Sequence, residues 1–264
     1  PAVHLDQPHR RDPFALTRER AGLVPAVRDL DTLHGDLLLI ERGAFVAADA
    51  RLIASDDLTQ ADPAWQRPAI RPESLALLQY SSGSTGQPKG VVLTHGNLAA
   101  NMEMIRTAFG HDDKTRVVSW LPMFHDMGLI GAVLQPVWLG GEALYMTPYA
   151  FMQRPMRWLK AVSDFRATSS GAPNFAFDLV AERLERDGPG DLDLSSWQVA
   201  FCGAEPVRAT TMARFAAAAQ RAGFDPAALF ACYGLAEATL FVSGGPRGHG
   251  IKTSGGKSEV SCGP

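Results

Sequence analysis

The stretch Tyr-Ser-Ser-Gly-Ser-Thr-Gly-Gln-Pro-Lys-Gly-Val, residues 80–91, decides most of what the sequence indicates about the fold. It lies between two short apolar runs, 75–80 and 91–94, that are typical of strands. Its glycines let backbone N–H groups converge, its hydroxyls can donate to phosphate oxygens, and Lys89 brings a mobile positive charge. Lys89 is followed by Gly90 and a strand, whereas the lysine of a Walker loop runs into a helix. The stretch therefore predicts a polyphosphate-binding loop of another type, and a flexible hairpin loop is the alternative.

Beyond this loop, the pattern predicts alternating helices and strands. Leu98, Met102, Ile105 and Phe109 share one face of an amphipathic helix, and Gly110 follows at its C-terminal cap position. The further strands are predicted at 116–121, 144–147, 167–170, 199–202 and 229–232, and the helices between them at 129–139 (broken near Pro136), 155–165, around 177–184 and 207–222. This order indicates an α/β fold with mostly parallel sheets flanked by helices.

Polar loops follow several of these strands. Ligands of parallel α/β sheets bind at the carboxyl ends of the strands. The loops at those ends are 81–90, 122–128, 203–206 and 233–237, and each contains glycine or polar residues. We therefore expect the binding site to be built from these four loops.

The composition excludes several classes of protein. The 264 residues are 46% hydrophobic and 20% charged, so the chain has enough apolar surface to offset the entropy of folding. Its 25 Lys and Arg against 28 Asp and Glu give a net charge of −3, which makes nucleic acid a poor default partner. No apolar run reaches the ~18 residues of a membrane span, and no leader-like segment follows Pro1. We expect no membrane insertion.

The cysteines indicate a reducing compartment. Cys202, Cys232 and Cys262 are odd in number and form no Cys-x-x-Cys pair, which argues against a disulfide framework and against a structural zinc site. We expect buried thiols in a cytoplasmic protein.

Four stretches in order resemble the signatures of the adenylate-forming superfamily, which includes acyl-CoA synthetases, luciferases and adenylation domains of peptide synthetases. They are the loop 81–90, Leu121-Pro-Met-Phe-His-Asp-Met-Gly128, Gly203-Ala-Glu-Pro206 and Tyr233-Gly-Leu-Ala-Glu237. The residues of the second and fourth stretches are most similar to those of the fatty acyl-AMP ligase branch. The resemblance covers roughly residues 60–245 and implies part of the large N-terminal domain of such an enzyme.

The resemblance implies a role for each motif position, with ATP and Mg²⁺ as cofactors. Residues Ser82, Gly83, Ser84, Thr85, Gly86 and Lys89 would hold the ATP phosphates. Gly203, Ala204 and Glu205 would line one face of the adenine, with the Tyr233 ring on the other, and Gly234, Leu235 and Ala236 would also bind the nucleotide. Thr85, Lys89, His125 and Glu237 are the predicted catalytic residues, with Glu237 also a ligand of Mg²⁺. The alternatives are a solvated glutamate at a helix N-terminus for Glu237 and a capping or core histidine for His125. His125-Asp126 has no matching His or Cys pair nearby and is not expected to hold a metal.

One motif position departs from the broad superfamily. Ala236 stands where many members have a threonine whose hydroxyl can reach the α-phosphate. That hydrogen bond is lost unless Thr239 or a backbone N–H replaces it. The fatty acyl-AMP ligase branch also has alanine here, so the change favours that branch.

The implied reaction joins a fatty acid to AMP with release of pyrophosphate. We expect an apolar pocket for a medium- or long-chain acid, formed by Met123, Phe124, Met127, Gly128, Phe175 and Phe177. Plain core packing is the alternative for each of them. An acyl carrier protein is the predicted acceptor of the acyl group.

The resemblance also predicts a piece of a longer enzyme. We expect 1–70 to be a partial leading segment, 71–241 the core subdomain, and 242–264 a flexible Gly/Ser-rich loop with a following strand from a truncated or shortened insertion. The family's late catalytic lysine and ribose-binding aspartate have no counterpart before Pro264. This chain alone is therefore expected to adenylate slowly or not measurably.

Three other functions stay open at this point. An acyl-CoA synthetase would use coenzyme A as acceptor. An amino-acid adenylation domain would need an acidic residue for the substrate amine, for which Asp126 and Asp178 are the nearby candidates. A non-catalytic nucleotide- or partner-binding domain would need neither coenzyme A nor an acidic residue for a substrate amine.

Overall fold

The structure is a computed structural model that describes residues 69–81, 89–252 and 260–262. All but the last two residues of the predicted leading segment 1–70 lie outside these residues. From Arg71 onward, the described residues belong to one compact unit.

The strands and helices alternate in the described part of the chain as the sequence predicts. The strands are β1 Leu75–Ser81, β2 Lys89–Thr94, β3 Arg116–Ser119, β4 Glu142–Tyr145, β5 Ser169–Ala172, β6 Val199–Cys202, β7 Leu229–Gly234 and β8 Phe241–Gly244. The helices are α1 His95–Phe109, α2 Asp126–Gly128, α3 Gln135–Leu139, α4 Pro148–Gln153, α5 Met156–Phe165, α6 Asn174–Asp187 and α7 Ala209–Ala219. A π-helical segment, Leu129–Leu134, connects α2 to α3.

The main sheet has the strand order β4-β3-β5-β6-β7-β8. Its first five strands run parallel, and β8 pairs with β7 in the antiparallel direction. β1 and β2 form a separate antiparallel hairpin around the phosphate-loop sequence. The predicted α/β class with a mostly parallel sheet is confirmed, and none of the helices in the described part of the chain combines the length and apolarity of a bilayer span.

Helices α5, α6 and α7 contribute to a set of packed rings that we call the aromatic core: Trp158, Phe177, Trp197, Phe215 and Phe224. The rings meet mostly edge to face, with centroids 5.1–5.4 Å apart in the closest pairs. The indole N–H of Trp158 donates to Ser170 Oγ at 2.8 Å and that of Trp197 to the Val199 carbonyl at 2.9 Å. The core therefore buries its two polar ring groups with partners.

The helix that follows β3 differs from its prediction. The sequence predicts a helix over 129–139 that breaks near Pro136, whereas the helical segment begins at Asp126 and passes through Pro136 without a break. Proline lacks the N–H that would bond the carbonyl of residue 132. The Tyr145 hydroxyl donates to that Ala132 carbonyl at 3.0 Å, and the preceding π-turn bonds the Gln135 N–H to the Ile130 carbonyl. The helix continues because another donor replaces the missing one.

Candidate active site

The described residues enclose a cavity of about 380 Å³ between the main sheet and helix α1. Three of the four predicted loops reach it, through Phe124 to Met127, Ala204, and Tyr233 to Glu237. These loops follow β3, β6 and β7, so they form the cavity's mouth at the carboxyl ends of parallel strands. The prediction that these loops converge is thus matched by the geometry.

The fourth loop is only partly described. Ser82, Gly83, Ser84, Thr85 and Gly86 lie outside the described residues, and Lys89 begins β2 opposite Ser81. Tyr80, the residue just before that pair, lines the cavity. The hairpin therefore places the start of the phosphate-loop sequence beside the mouth.

The ends of β6 and β7 form one side of the mouth. A Cβ atom at Gly203 would lie 2.9 Å from the Cys232 carbonyl oxygen, so the close approach of the two strand ends requires glycine there. Ala204 follows with a φ of 67°, a left-handed conformation that is uncommon for alanine. Ala204 and the half-exposed ring of Tyr233 both line the cavity. The arrangement leaves a small residue and an aromatic ring on the same opening.

The carboxylate of Glu205 is bonded to the start of helix α6. Its Oε1 accepts the Phe175 N–H at 2.7 Å, in the first turn of α6. A carboxylate at this end of a helix is favourable because the unpaired N–H groups there carry partial positive charge. Glu205 is not among the residues that line the cavity. Its carboxylate caps α6, and a contact with adenine stays a prediction.

Glu237 lies in a 3₁₀ turn, Ala236–Ala238, at the mouth. It is exposed, and its carboxylate has no hydrogen bond or ion pair to another described residue. No group of three or more His, Cys, Asp or Glu that could hold a metal occurs among the described residues. A single carboxylate at the mouth is what Mg²⁺ needs when substrate phosphates supply most of its ligands, so Glu237 fits the predicted ion.

A strained turn follows Glu237, and Asn101 holds it. Thr239 has φ 74° and ψ −60°, and the Leu240 N–H bonds the Ala238 carbonyl at 2.9 Å, which defines a γ-turn of the rare, strained form. The buried Asn101 side chain of α1 donates to the Phe241 carbonyl at 2.8 Å and the Ala238 carbonyl at 3.3 Å, and accepts the Phe241 N–H at 2.9 Å. One side chain thus binds the backbone on both sides of the turn.

The position of Thr239 shows whether its hydroxyl could replace the motif threonine for which Ala236 is substituted. Thr239 is 6% exposed and is not among the residues that line the cavity. Its hydroxyl is therefore poorly placed to replace the missing threonine of the motif. A backbone N–H is the remaining candidate.

His125 caps the N-terminus of α2 beside the mouth. Its Nδ1 lies 2.7 Å from Asp126 Oδ1, and the hydrogen bond to this buried carboxylate raises the pKa of His125. The Met127 N–H lies 3.2 Å from Nδ1 and 2.6 Å from Asp126 Oδ1. When Nδ1 is protonated it cannot accept a hydrogen bond, so the Met127 N–H then bonds only Asp126. Both contacts of the ring are made through Nδ1, and neither involves Nε2.

The predicted acyl-pocket residues divide into two groups. Phe124 and Met127 line the cavity, whereas Met123, Gly128, Phe175 and Phe177 do not. Phe177 belongs to the aromatic core and is fully buried there. Phe175 makes edge contacts with Trp120 and Phe151, and a Cβ at Gly128 would overlap the Pro122 carbonyl. For Phe177 and Gly128 the packing alternative describes the position better, whereas a pocket role for Met123 and Phe175 stays a prediction.

The cavity's interior consists of residues that the sequence analysis did not assign to the site. They are Ile105 and Phe109 of α1, Val117 of β3, Phe201 of β6, and Leu240 and Phe241 at β8, together with His111 and Ser169. The first two belong to the apolar face that predicted α1, and that periodicity is the only sequence signal that pointed to them. The interior is mainly apolar, and its mouth is polar.

Comparison with known proteins agrees with this geometry. A medium-chain-fatty-acid–[acyl-carrier-protein] ligase of Teredinibacter turnerae is 49% identical over 180 residues, which are 68% of this chain and 28% of that protein. A ligase with the same description from Moorena producens is 45% identical over 201 residues, 76% of this chain and 34% of the relative. The crystal structure of a fatty acyl-adenylate ligase from L. pneumophila, in complex with acyl adenylate and pyrophosphate, superposes with a TM-score of 0.68 at 49% identity and covers 71% of this chain and 33% of that one.

The chain spans about a third of the length of these relatives. The AMP-binding enzyme family matches residues 17–263, nearly the whole sequence. The motifs, the parallel sheet and the cavity at its carboxyl edge lie within that match. The chain belongs to the AMP-binding enzyme family.

Proposed function

We propose that this chain is part of an ATP-dependent enzyme that activates a fatty acid as its acyl-adenylate and releases pyrophosphate. The observation that carries the proposal is the continuous cavity. Residues of the motif loops form its mouth, and apolar side chains of α1, β3, β6 and β8 form its interior. A nucleotide at the mouth and an acyl chain inside would meet in one space.

In the proposed reaction, an oxygen of the substrate carboxylate forms a bond to the α-phosphorus of ATP. The bond from that phosphorus to the oxygen bridging to the β-phosphate breaks, and pyrophosphate leaves with its electron pair. Both reactants are anions, so the site must reduce their repulsion and align them more than it must supply an acid or base.

Each predicted role has a place in this scheme. Thr85, Lys89 and the loop residues around them would bind the phosphates, and Ala204 and Tyr233 would take the adenine between them. Glu237 would hold Mg²⁺, which neutralises phosphate charge when bound. His125 lines the cavity beside its mouth and would lie between the nucleotide and the acyl chain. All of these assignments follow the motif positions, and those of Ala204, Tyr233, His125 and Glu237 are also supported by the lining of the cavity.

Substrate and acceptor are inferred by the same reasoning. Asp178 is ion-paired with Arg214 at 3.0 Å, and Asp126 is buried against His125, so neither acid is available for a substrate amine. This favours a fatty acid over an amino acid. The relatives described above as acyl-carrier-protein ligases favour a carrier protein over coenzyme A as acceptor. A cytoplasmic location is part of the proposal and is supported by the free thiols of Cys202, Cys232 and Cys262.

The test is direct binding of a hydrolysis-resistant decanoyl-adenylate analogue, with a sulfamate in place of the phosphate, measured by titration calorimetry on this chain. We expect binding, and weaker binding of the phenylalanyl analogue. Tyr233→Ala should lower the affinity about tenfold, because stacking of a base on an aromatic ring contributes about 1–3 kcal/mol. The matched control is Tyr149→Ala, which removes an exposed tyrosine that does not line the cavity.

Two results would contradict the proposal. One is preference for the phenylalanyl analogue, and the other is equal loss of affinity in the two tyrosine variants. The analogue mimics the product of the first step, so the measurement is independent of the slow turnover expected of this chain. Formation of acyl-AMP from ATP and decanoate in a single turnover is the matching test of activity.

A further inference from the structure

We propose that His111, fixed by Ser169, closes the inner end of the cavity and sets the longest acyl chain that it accepts. This inference rests on the proposed function, because it assigns the interior of the cavity to the acyl group. It goes further by naming the residue that selects among fatty acids.

The strand register identifies the inner end. The mouth lies at the carboxyl ends of the parallel strands, whereas Val117 and Ser169 are paired near the amino ends of β3 and β5. Ser169 is the first residue of β5, and the strand rises about 10 Å from there to Ala172 at its other end. His111 lies in the turn that connects α1 to β3, on the same side of the sheet as these amino ends. His111, Val117 and Ser169 all line the cavity, so it extends along the sheet from mouth to turn.

The imidazole of His111 is held in place. Its Nε2 lies 3.0 Å from Ser169 Oγ, and its ring meets the Phe109 ring edge to face with centroids 5.2 Å apart. The side chain is buried, and burial lowers its pKa to about 4, so the ring is uncharged at neutral pH. A neutral, pinned ring is compatible with the methyl end of an acyl chain, which a charged group would not be.

Beyond this ring the chain returns to the surface. The flanking residues Gly110 and Asp112 are exposed, and the Gly110 carbonyl accepts a hydrogen bond at 3.0 Å from the exposed Arg247. The buried His111 ring therefore lies between the cavity and this exposed turn, on which the Arg247 side chain also packs. Replacing it with a small residue would lengthen the cavity along its own axis.

The test compares affinities for adenylate analogues that carry octanoyl, decanoyl, dodecanoyl, tetradecanoyl and hexadecanoyl chains. We expect the affinity of the unchanged protein to rise with chain length and then fall sharply. In His111→Ala the fall should come at a longer chain, with about a fourfold gain in affinity for each further methylene that becomes buried. His111→Val is the second variant, with a smaller shift, should alanine destabilise the fold.

The matched control is His111→Phe, which keeps a ring at this position and should keep the original length limit. An unchanged length profile in both His111→Ala and His111→Val overturns the inference alone. If His111→Phe accepts longer acyl chains than the unchanged protein, the inference is also overturned, because a ring at this position would then not limit the chain length. Failure of the unchanged protein to bind any of the acyl analogues overturns the proposed function and this inference together.

Discussion

The aromatic core and the cavity region sit in the same α/β unit but are built in opposite ways. In the aromatic core every ring is buried, and both indole N–H groups have acceptors. Around the cavity, no described residue pairs with the buried His111 Nδ1 or Gln79 Oε1, and the left-handed Ala204 and Thr239 border its loops. Unpaired polar atoms and strained backbone lower stability. Within one hydrophobic cluster, the rings between α5, α6 and α7 therefore carry less of this cost than the described residues around the cavity.

The largest effect is expected from breaking the aromatic core. Trp158→Ala removes a fully buried ring and the hydrogen bond to Ser170, and should lower the free energy of unfolding by about 3–5 kcal/mol. Urea denaturation followed by circular dichroism measures it. Trp138→Ala is the matched control, because that indole is about half exposed and should cost much less. Equal losses in the two variants would contradict the division between the regions.

The next largest effect is a loss of stability at acidic pH that comes from His111 in the cavity. Burial and, to a smaller extent, the positive charge of Arg247 lower the pKa of His111 from 6.5 to about 4, and Asp112 opposes this shift. Between these two values the unfolded chain holds a proton that the folded protein does not, so stability falls as pH falls, by about 3 kcal/mol in total. Urea midpoints between pH 7 and pH 4 measure the decline.

Two variants sharpen this test of His111. His111→Phe cannot take up the proton, so its stability should fall less over the same pH range. Arg247→Gln removes the positive charge that lowers the pKa, and should also reduce the decline. A decline of unchanged size in His111→Phe would assign the acid sensitivity to another group.

A smaller loss is expected when the strained turn loses its support. Asn101→Ala removes three hydrogen bonds to the backbone around Thr239 and should cost about 2 kcal/mol. Because the same turn follows Glu237, the Mg²⁺ concentration needed for half-maximal binding of ATP should rise as well. Met102→Ala is the control: it removes a buried side chain of the same helix that packs against Leu93 and Ile130 and does not line the cavity.

The two readouts separate support of the turn from general destabilisation. Met102→Ala should lower the urea midpoint and leave the Mg²⁺ dependence as it was. If the two variants change the Mg²⁺ dependence equally, Asn101 has no special role at the turn. Asn101→Asp offers a finer comparison, since it keeps the acceptor for the Phe241 N–H and loses the donor to both carbonyls.

The sequence predicted the mouth of the cavity well because the mouth depends on residue types with strict requirements. Gly203 stands where a Cβ would approach Cys232 within 2.9 Å, and such positions leave a recognisable motif. The interior depends on which apolar residues face a void, and periodicity cannot distinguish these. Leu98 and Phe109 share one predicted face, yet Leu98 packs in a small cluster with Leu93, whereas Phe109 lines the cavity.

Two secondary-structure elements, helix α4 and strand β5, differ from their predictions for reasons that lie in their own sequences. Helix α4, Pro148–Gln153, was not predicted because six residues are too few for a helical period, although Thr147 caps it by accepting the Ala150 N–H at 3.1 Å. A threonine followed by proline was an available signal for that helix start. Strand β5 begins two residues later than predicted because its buried residues, Ser169–Ala172, are small or polar and do not form an apolar run.

The smallest expected effect tests the contact between the loop at the mouth and helix α6. Glu205 belongs to the loop after β6 at the mouth, yet its carboxylate accepts the Phe175 N–H at the start of α6, where Pro173 offers no side-chain cap. Glu205→Ala should therefore cost about 1 kcal/mol of stability, and Glu205→Gln less, because the amide still accepts but carries no charge. If the Glu205 carboxylate only caps α6, Glu205→Ala should lower the affinity for the decanoyl-adenylate analogue much less than Tyr233→Ala does. A loss as large as that of Tyr233→Ala would return Glu205 to the adenine site and show that the cap on α6 also positions the mouth.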